Sequence, residues 1–162
     1  MIILGIDPGT TAIGCAVVET AYKPRLLYAG LISIRARDPG ERLRELHVGL
    51  DALIKTWHPA IASVEKLFFA ANTKTAIAVA QARGVILLTA ALSGISVVEY
   101  APREIKKALT GDGSADKKQM KKMVILTLPD AAGLRASDDV FDAIASALAC
   151  CFQEKLHQRG TN

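Results

Sequence analysis

Apolar positions along the chain recur first with the spacing of strands and then with that of helices. Ile2 to Asp7 is a short apolar run closed by Pro8-Gly9, which predicts a buried strand entering a turn. Ala12 to Glu19 is small and β-branched, a second strand, so the two predict a hairpin around Pro8-Gly9-Thr10-Thr11. Leu26 to Arg35, bounded by Pro24 and Asp38-Pro39-Gly40, predicts a third strand. Between Glu41 and Trp57, Leu43, Leu46, Leu50, Leu53, Ile54 and Trp57 fall at helical spacing. Ala60 to Val64 is a fourth, buried strand that runs straight into Glu65.

Asn72 opens a long alanine-rich helical stretch closed by Ser93-Gly94, and Ile95 to Tyr100 predicts a fifth strand. Pro102 to Leu109 is a short helix with proline in its favoured first turn. Gly111-Asp112-Gly113 is a flexible link, after which Ser114 can cap a helix reaching Leu128. Ser137 can cap a last helix ending near Leu156. An opening antiparallel meander followed by alternating strands and helices predicts an α/β domain, a mixed sheet with helices on its faces.

Composition narrows this little. The chain has 162 residues, 51% hydrophobic and 22% charged. That suits one globular domain, at roughly 100–200 residues per domain, whose core needs no disulfides. Gly84 to Val98, a strongly apolar uncharged stretch, falls short of the ~20 residues of a membrane span. The opening MIILGID lacks the basic region of a signal peptide, so no membrane or secretory role is expected. Cys15, Cys150 and Cys151 lie in apolar patterns without CxxC spacing, which predicts buried, reduced packing residues in a cytosolic protein. His47, His58 and His157 are scattered and fit surface or packing roles.

Charge adds more. Arg103, Lys106, Lys107, Lys117, Lys118, Lys121 and Lys122 face three acids, Glu104, Asp112 and Asp116, within one segment. That segment carries the whole formal charge of +4, and the rest of the chain sums to zero. A basic stretch on a neutral chain points to a polyanion, most simply nucleic acid; a solvated helix face is the alternative.

The acids with chemical potential stand at strand ends and a helix start. Asp7 closes one uncharged strand and Glu65 another, which suggests carboxylates converging at one edge of a sheet. For either alone, capping its turn or meeting a base is the plainer role. Asp138, Asp139 and Asp142 open the last helix, where acids complement the helix dipole. Asp139 and Asp142 share a face beside the apolar stripe Phe141, Ile144, Ala145, Leu148 and Phe152. Like charges at such a margin need a cation, and hard oxygen donors without His or Cys suit magnesium or manganese. Four such carboxylates would suit two ions about 4 Å apart, activating water and stabilising the leaving oxygen at phosphorus. Acids and basic stretch together predict a metal-dependent nuclease.

Five blocks carry a resemblance. Ile3-Leu4-Gly5-Ile6-Asp7-Pro8-Gly9, Ser63-Val64-Glu65-Lys66-Leu67-Phe68 and Gln81-Ala82-Arg83-Gly84 resemble the RuvC family of bacterial Holliday junction endonucleases. Gly111-Asp112-Gly113-Ser114-Ala115-Asp116-Lys117 and Asp139-Val140-Phe141-Asp142-Ala143 continue it in the same order. The resemblance implies an RNase H-like fold over residues 1–157, with 158–162 a short polar tail. It implies catalytic, metal-binding acids at Asp7, Glu65, Asp139 and Asp142, with Asp138 a neighbouring alternative to Asp139. Two magnesium ions per site are implied, with manganese a substitute. Phe68 matches an aromatic that contacts junction DNA, and Phe69 beside it could share that role. Lys106 and Lys117 match basic positions beside the scissile phosphate, while Lys107, Lys118 and Lys121 could extend the phosphate-binding face. A homodimer is implied, making paired symmetrical nicks in a four-way DNA junction alongside the RuvA–RuvB branch-migration complex. Its place would be the bacterial cytoplasm, at the nucleoid.

Three other readings start from the same residues. Gly5-Ile6-Asp7-Pro8-Gly9-Thr10-Thr11 also resembles the phosphate loop of actin-like ATPases and sugar kinases, which need a second lobe that 162 residues do not supply. A related RNase H-like nuclease could act on RNA or other branched DNA. A non-catalytic junction binder would be expected to lack one of the acids, and all four are present.

Overall fold

The computed structural model describes residues 1–66 and 73–160. Five strands form one sheet in the order β3-β2-β1-β4-β5. They are β1 (Ile2–Asp7), β2 (Ala12–Glu19), β3 (Arg25–Ser33), β4 (Ile61–Glu65) and β5 (Ser96–Tyr100). The first three make the expected antiparallel meander; β4 joins β1 in parallel and β5 joins β4 in parallel. Helices α1 (Pro39–Trp57), α2 (Thr73–Leu92), α3 (Pro102–Thr110), α4 (Lys117–Thr127) and α5 (Asp138–Gly160) complete the fold, with a 3-10 turn at Pro129–Ala131.

Alternation along each strand divides the core into two layers. Leu4, Ile6, Ile13, Cys15 and Val17 pack with Leu46, Leu50 and Ile86 of α1 and α2 on one face. Ile3, Ala16 and Val18 pack with α3, α4 and α5 on the other. All three cysteines are buried. His47 bonds to the Thr89 hydroxyl (2.8 Å), His58 ends α1 with φ 47°, and His157 lies outside the residues whose side chains are described. Arg83 on α2 holds Glu99 on β5 through two hydrogen bonds of 2.8 Å. Among the described residues no helix is long and apolar enough to cross a membrane.

Helix ends differ from expectation where a cap was misread. Helix α1 starts at Pro39 rather than Glu41, because Asp38 accepts a hydrogen bond from the Glu41 N–H (2.9 Å). Ser114 does not cap α4: its N–H and hydroxyl donate to Asp112 (2.8 and 2.7 Å). Asp116 takes that place in a reciprocal pair with Gln119, each side chain accepting from the other's backbone N–H at 2.8 Å. Ser137 does precede α5, its carbonyl accepting from the Phe141 N–H (3.4 Å), and the helix runs to Gly160, past Leu156.

Helix α5 lies on β1, β2 and β4 with almost nothing between the backbones. A β-carbon on Gly5 would strike the Ala143 carbonyl oxygen, and one on Gly14 the Asp139 carbonyl oxygen. Beside Gly5 in the sheet, Ser63 donates to the Ser146 carbonyl (2.8 Å) and Ser146 returns a bond to the Ser63 carbonyl (3.1 Å). A buried polar seam of this kind is stable because both hydroxyls are satisfied.

Two substitutions separate close packing from helix propensity. Gly5→Ala should lower stability by about 1–3 kcal/mol, since the obstructing atoms are helix backbone. Gly84→Ala should raise it by about 0.5–1 kcal/mol, since Gly84 sits in α2 with open space around it. Urea unfolding midpoints check both.

Candidate active site

Strand alternation aims two acids at α5. Ile3, Gly5 and Asp7 share one face of β1, and Ile61, Ser63 and Glu65 share that face of β4. The two strands are parallel neighbours, paired through Ile6 and Val64, so Asp7 and Glu65 end adjacent strands at the same level. Asp7 also pairs across the hairpin with Gly14, against which the Asp139 carbonyl rests. The first turn of α5, with Asp138 and Asp139, and Asp142 just after it are thereby held over the ends of β1 and β2.

The charges act on one another. Burial, then Glu65, Asp142 and Asp139, push the Asp7 carboxyl up to about 8, while Lys117 pulls the other way. Burial and Asp142 raise Glu65 to about 7 against Lys106 and Lys117. Asp142 is raised as well, chiefly by burial, with Lys117 opposing. Asp138 behaves differently: its hydrogen bond from Lys117 holds it below the usual carboxylate range.

Lys117 sits among these groups, its Nζ 2.9 Å from Asp138 and 3.9 Å from Asp142. With Lys106 from α3 it lines a cleft of about 180 Å³ that also includes Glu65, Asp142, Ile105 and Met120. Lys107 and Lys118 are exposed on the same two helices and do not line this cleft. Lys121 packs its ammonium 4.3 Å from the ring centre of Phe141. A larger hollow, about 620 Å³, lies between the ends of α1 and α2 and contains none of the four acids. Phe68 and Phe69 fall outside the described residues.

Among the described residues, no three Asp, Glu, His or Cys side chains are grouped closely enough to hold a metal ion between them. The donor chemistry nevertheless fits a hard divalent cation. Asp7, Glu65, Asp139 and Asp142 offer only oxygen, and the upward shifts at three of them report repulsion and burial that a cation would relieve. Sequence patterning missed Gly14 and the Asp138–Lys117 contact. The first was detectable as a glycine paired across the hairpin from Asp7; the second joins residues 21 apart and carries no local signal.

The family model for "Crossover junction endodeoxyribonuclease RuvC" matches residues 3–151. A protein of that name from Roseiflexus sp. (strain RS-1) is 46% identical over 158 residues, covering 96% of this chain and 94% of the relative. The solved structure of Thermus thermophilus RuvC superposes with a TM-score of 0.89 at 31% identity, covering 97% of both chains. The same protein in complex with a Holliday junction substrate gives 0.89 at 32% identity, covering 97% of this chain and 96% of that one. The sheet order, the helix layers and these matches agree on an RNase H-like fold. The chain belongs to the RuvC family of crossover junction endodeoxyribonucleases.

Proposed function

We propose that this chain is a metal-dependent nuclease that resolves Holliday junctions by paired symmetrical nicks in two opposing strands during recombination and DNA repair. The observation that carries the reading is the convergence of Asp7, Glu65, Asp139 and Asp142 beside Lys106 and Lys117. The four acids are the metal ligands in this reading, and residues 1–157 form the nuclease domain, with 158–162 a tail. Two magnesium ions, or manganese in their place, would activate the attacking water and offset charge on the leaving oxygen.

The protein's own residues prepare that chemistry. Burial and mutual repulsion make Asp7 and Glu65 hold protons more tightly than ordinary carboxylates, so a cation binding there would displace protons and its affinity would rise with pH. Lys106 and Lys117, from the cleft wall, meet the scissile phosphate and offset charge as it develops. Hydrolysis in line leaves a 5′-phosphate and a 3′-hydroxyl. Lys107, Lys118 and Lys121 extend the contact to flanking phosphates, and Phe68 and Phe69 stack against junction bases.

Two opposing nicks call for two sites, and the surface supports a homodimer. Val48 on α1 and Leu88 and Leu92 on α2 are exposed, 52%, 57% and 71%, on two helices that pack side by side. Family membership supports work alongside the RuvA–RuvB branch-migration complex in the bacterial cytoplasm, at the nucleoid.

A labelled synthetic four-way junction, run beside linear duplex, flap and RNA–DNA hybrid with and without magnesium, tests the reading. Paired, magnesium-dependent nicks on the junction alone are expected, and Asp7→Asn should slow them at least about a hundredfold. Binding without cutting would overturn the nuclease, and preference for the hybrid or flap would overturn the substrate.

Lys107→Ala and Lys118→Ala should each weaken junction binding and flatten its salt dependence by about 0.9 in slope. Unchanged slopes would make those lysines a solvated face.

Stability should depend on pH in the direction set by Asp7 and Glu65. Both hold protons more tightly folded than unfolded, so their contribution to the metal-free protein's stability is fully present below their ordinary values of 3.8 and 4.5. That contribution is lost as pH rises through about 7 and about 8. Asp7→Asn should raise the metal-free Tm by roughly 3 °C or more near pH 8.5 and change it little near pH 4, as thermal unfolding would show.

A further inference from the structure

Asp138 and Asp142 stand four residues apart on α5, on one face of the helix, and the Lys117 ammonium lies against both. The shorter contact, 2.9 Å, is to Asp138, and the longer, 3.9 Å, is to Asp142. Asp138 is the more remote of the two neighbouring acids from the strand carboxylates: Asp139 acts on Asp7 and Asp138 does not, although both act on Asp142. The Asp138 side chain is 67% exposed against 37% for Asp142.

Lys117 needs an anchor. It is the first residue of α4, so its root is held by the Asp116–Gln119 cap, but its side chain is 71% exposed. A lysine left free at such a place spreads over many rotamers, and fixing it costs side-chain entropy. An ammonium has three donors. One spent on Asp138 keeps the group at the cleft and leaves two for Asp142 and for an incoming phosphate oxygen.

We propose that Asp138 is a positioning residue: it tethers Lys117 at the mouth of the carboxylate cleft, where the ammonium meets the scissile phosphate, and is not itself a metal ligand. The inference rests on the nuclease reading above. It divides the neighbouring acids by task, Asp139 facing the metal site and Asp138 facing the lysine.

The test is a double-mutant cycle on single-turnover junction cleavage, with Asp138→Asn, Lys117→Ala and the pair. Mn²⁺ binding to the DNA-free protein is followed by titration calorimetry. Asp138→Asn should slow cleavage roughly fivefold, the scale of one exposed ion pair, and cost nothing further when Lys117 is already alanine. Asp138→Glu should restore most of the rate. Mn²⁺ affinity should stay within about twofold in Asp138→Asn and fall at least about tenfold in Asp139→Asn. An unchanged rate in Asp138→Asn, losses that multiply in the double variant, or a fall in Mn²⁺ affinity matching that of Asp139→Asn would each overturn the tether. If Asp7→Asn still cuts the junction, the nuclease reading itself fails. If Asp7→Asn is inactive while the losses at 138 and 117 multiply, the tether alone fails.

Discussion

Side chains normally keep a helix and a sheet apart, and at Gly5 and Gly14 there are none. The carbonyls of Ala143 and Asp139 rest where β-carbons would otherwise be, and the paired hydroxyls of Ser63 and Ser146 close the gap at β4. That contact sets the height and the sliding position of α5 together. Asp7 is the next residue on the same face of β1 as Gly5, so the distance from the first turn of α5 to the strand ends follows from it. Ala143 and Ala147 serve the same fit from the helix side, being small where the strand is bare.

What this fit achieves is electrostatically unfavourable by itself. Half-buried carboxylates brought within reach of one another raise each other's proton affinity, and the protein offsets part of the cost with Lys106 and Lys117. Stability is given up at this one place and recovered from two apolar layers and fully paired polar groups elsewhere. Asp138 shows the contrast: four residues before Asp142 on α5, more exposed and bonded to a lysine, it is held below the ordinary carboxylate range.

The succession of strands and helices, and a mixed sheet with helices on its faces, could be read from spacing and from the Pro, Gly and Asp-Pro breaks, whereas the parallel pairing of β4 with β1 and of β5 with β4 carries no local signal. Asp7 and Glu65 were visible because an acid after an uncharged run is unusual. Helix starts were harder: Ser114 and Asp116 are both good caps, and the choice depends on whether a partner stands three residues on, which Gln119 does for Asp116. The Asp138–Lys117 pair could not be read at all, because it depends on how α4 is laid across α5. Spacing favoured Asp139 over Asp138 through its i, i+3 relation to Asp142, and the structure adds the contact of the Asp139 carbonyl with Gly14 and that of Asp138 with Lys117.

The order in which these pieces leave the ribosome carries a consequence. Asp7 emerges in the first strand, Glu65 in the fourth, and Asp139 and Asp142 only in the last helix. A nascent chain with its sheet complete but α5 still in the exit tunnel has half a carboxylate set and one bare sheet face. On the reading proposed above, such a chain would not yet cut DNA, because its site would be assembled only when α5 docks on the sheet.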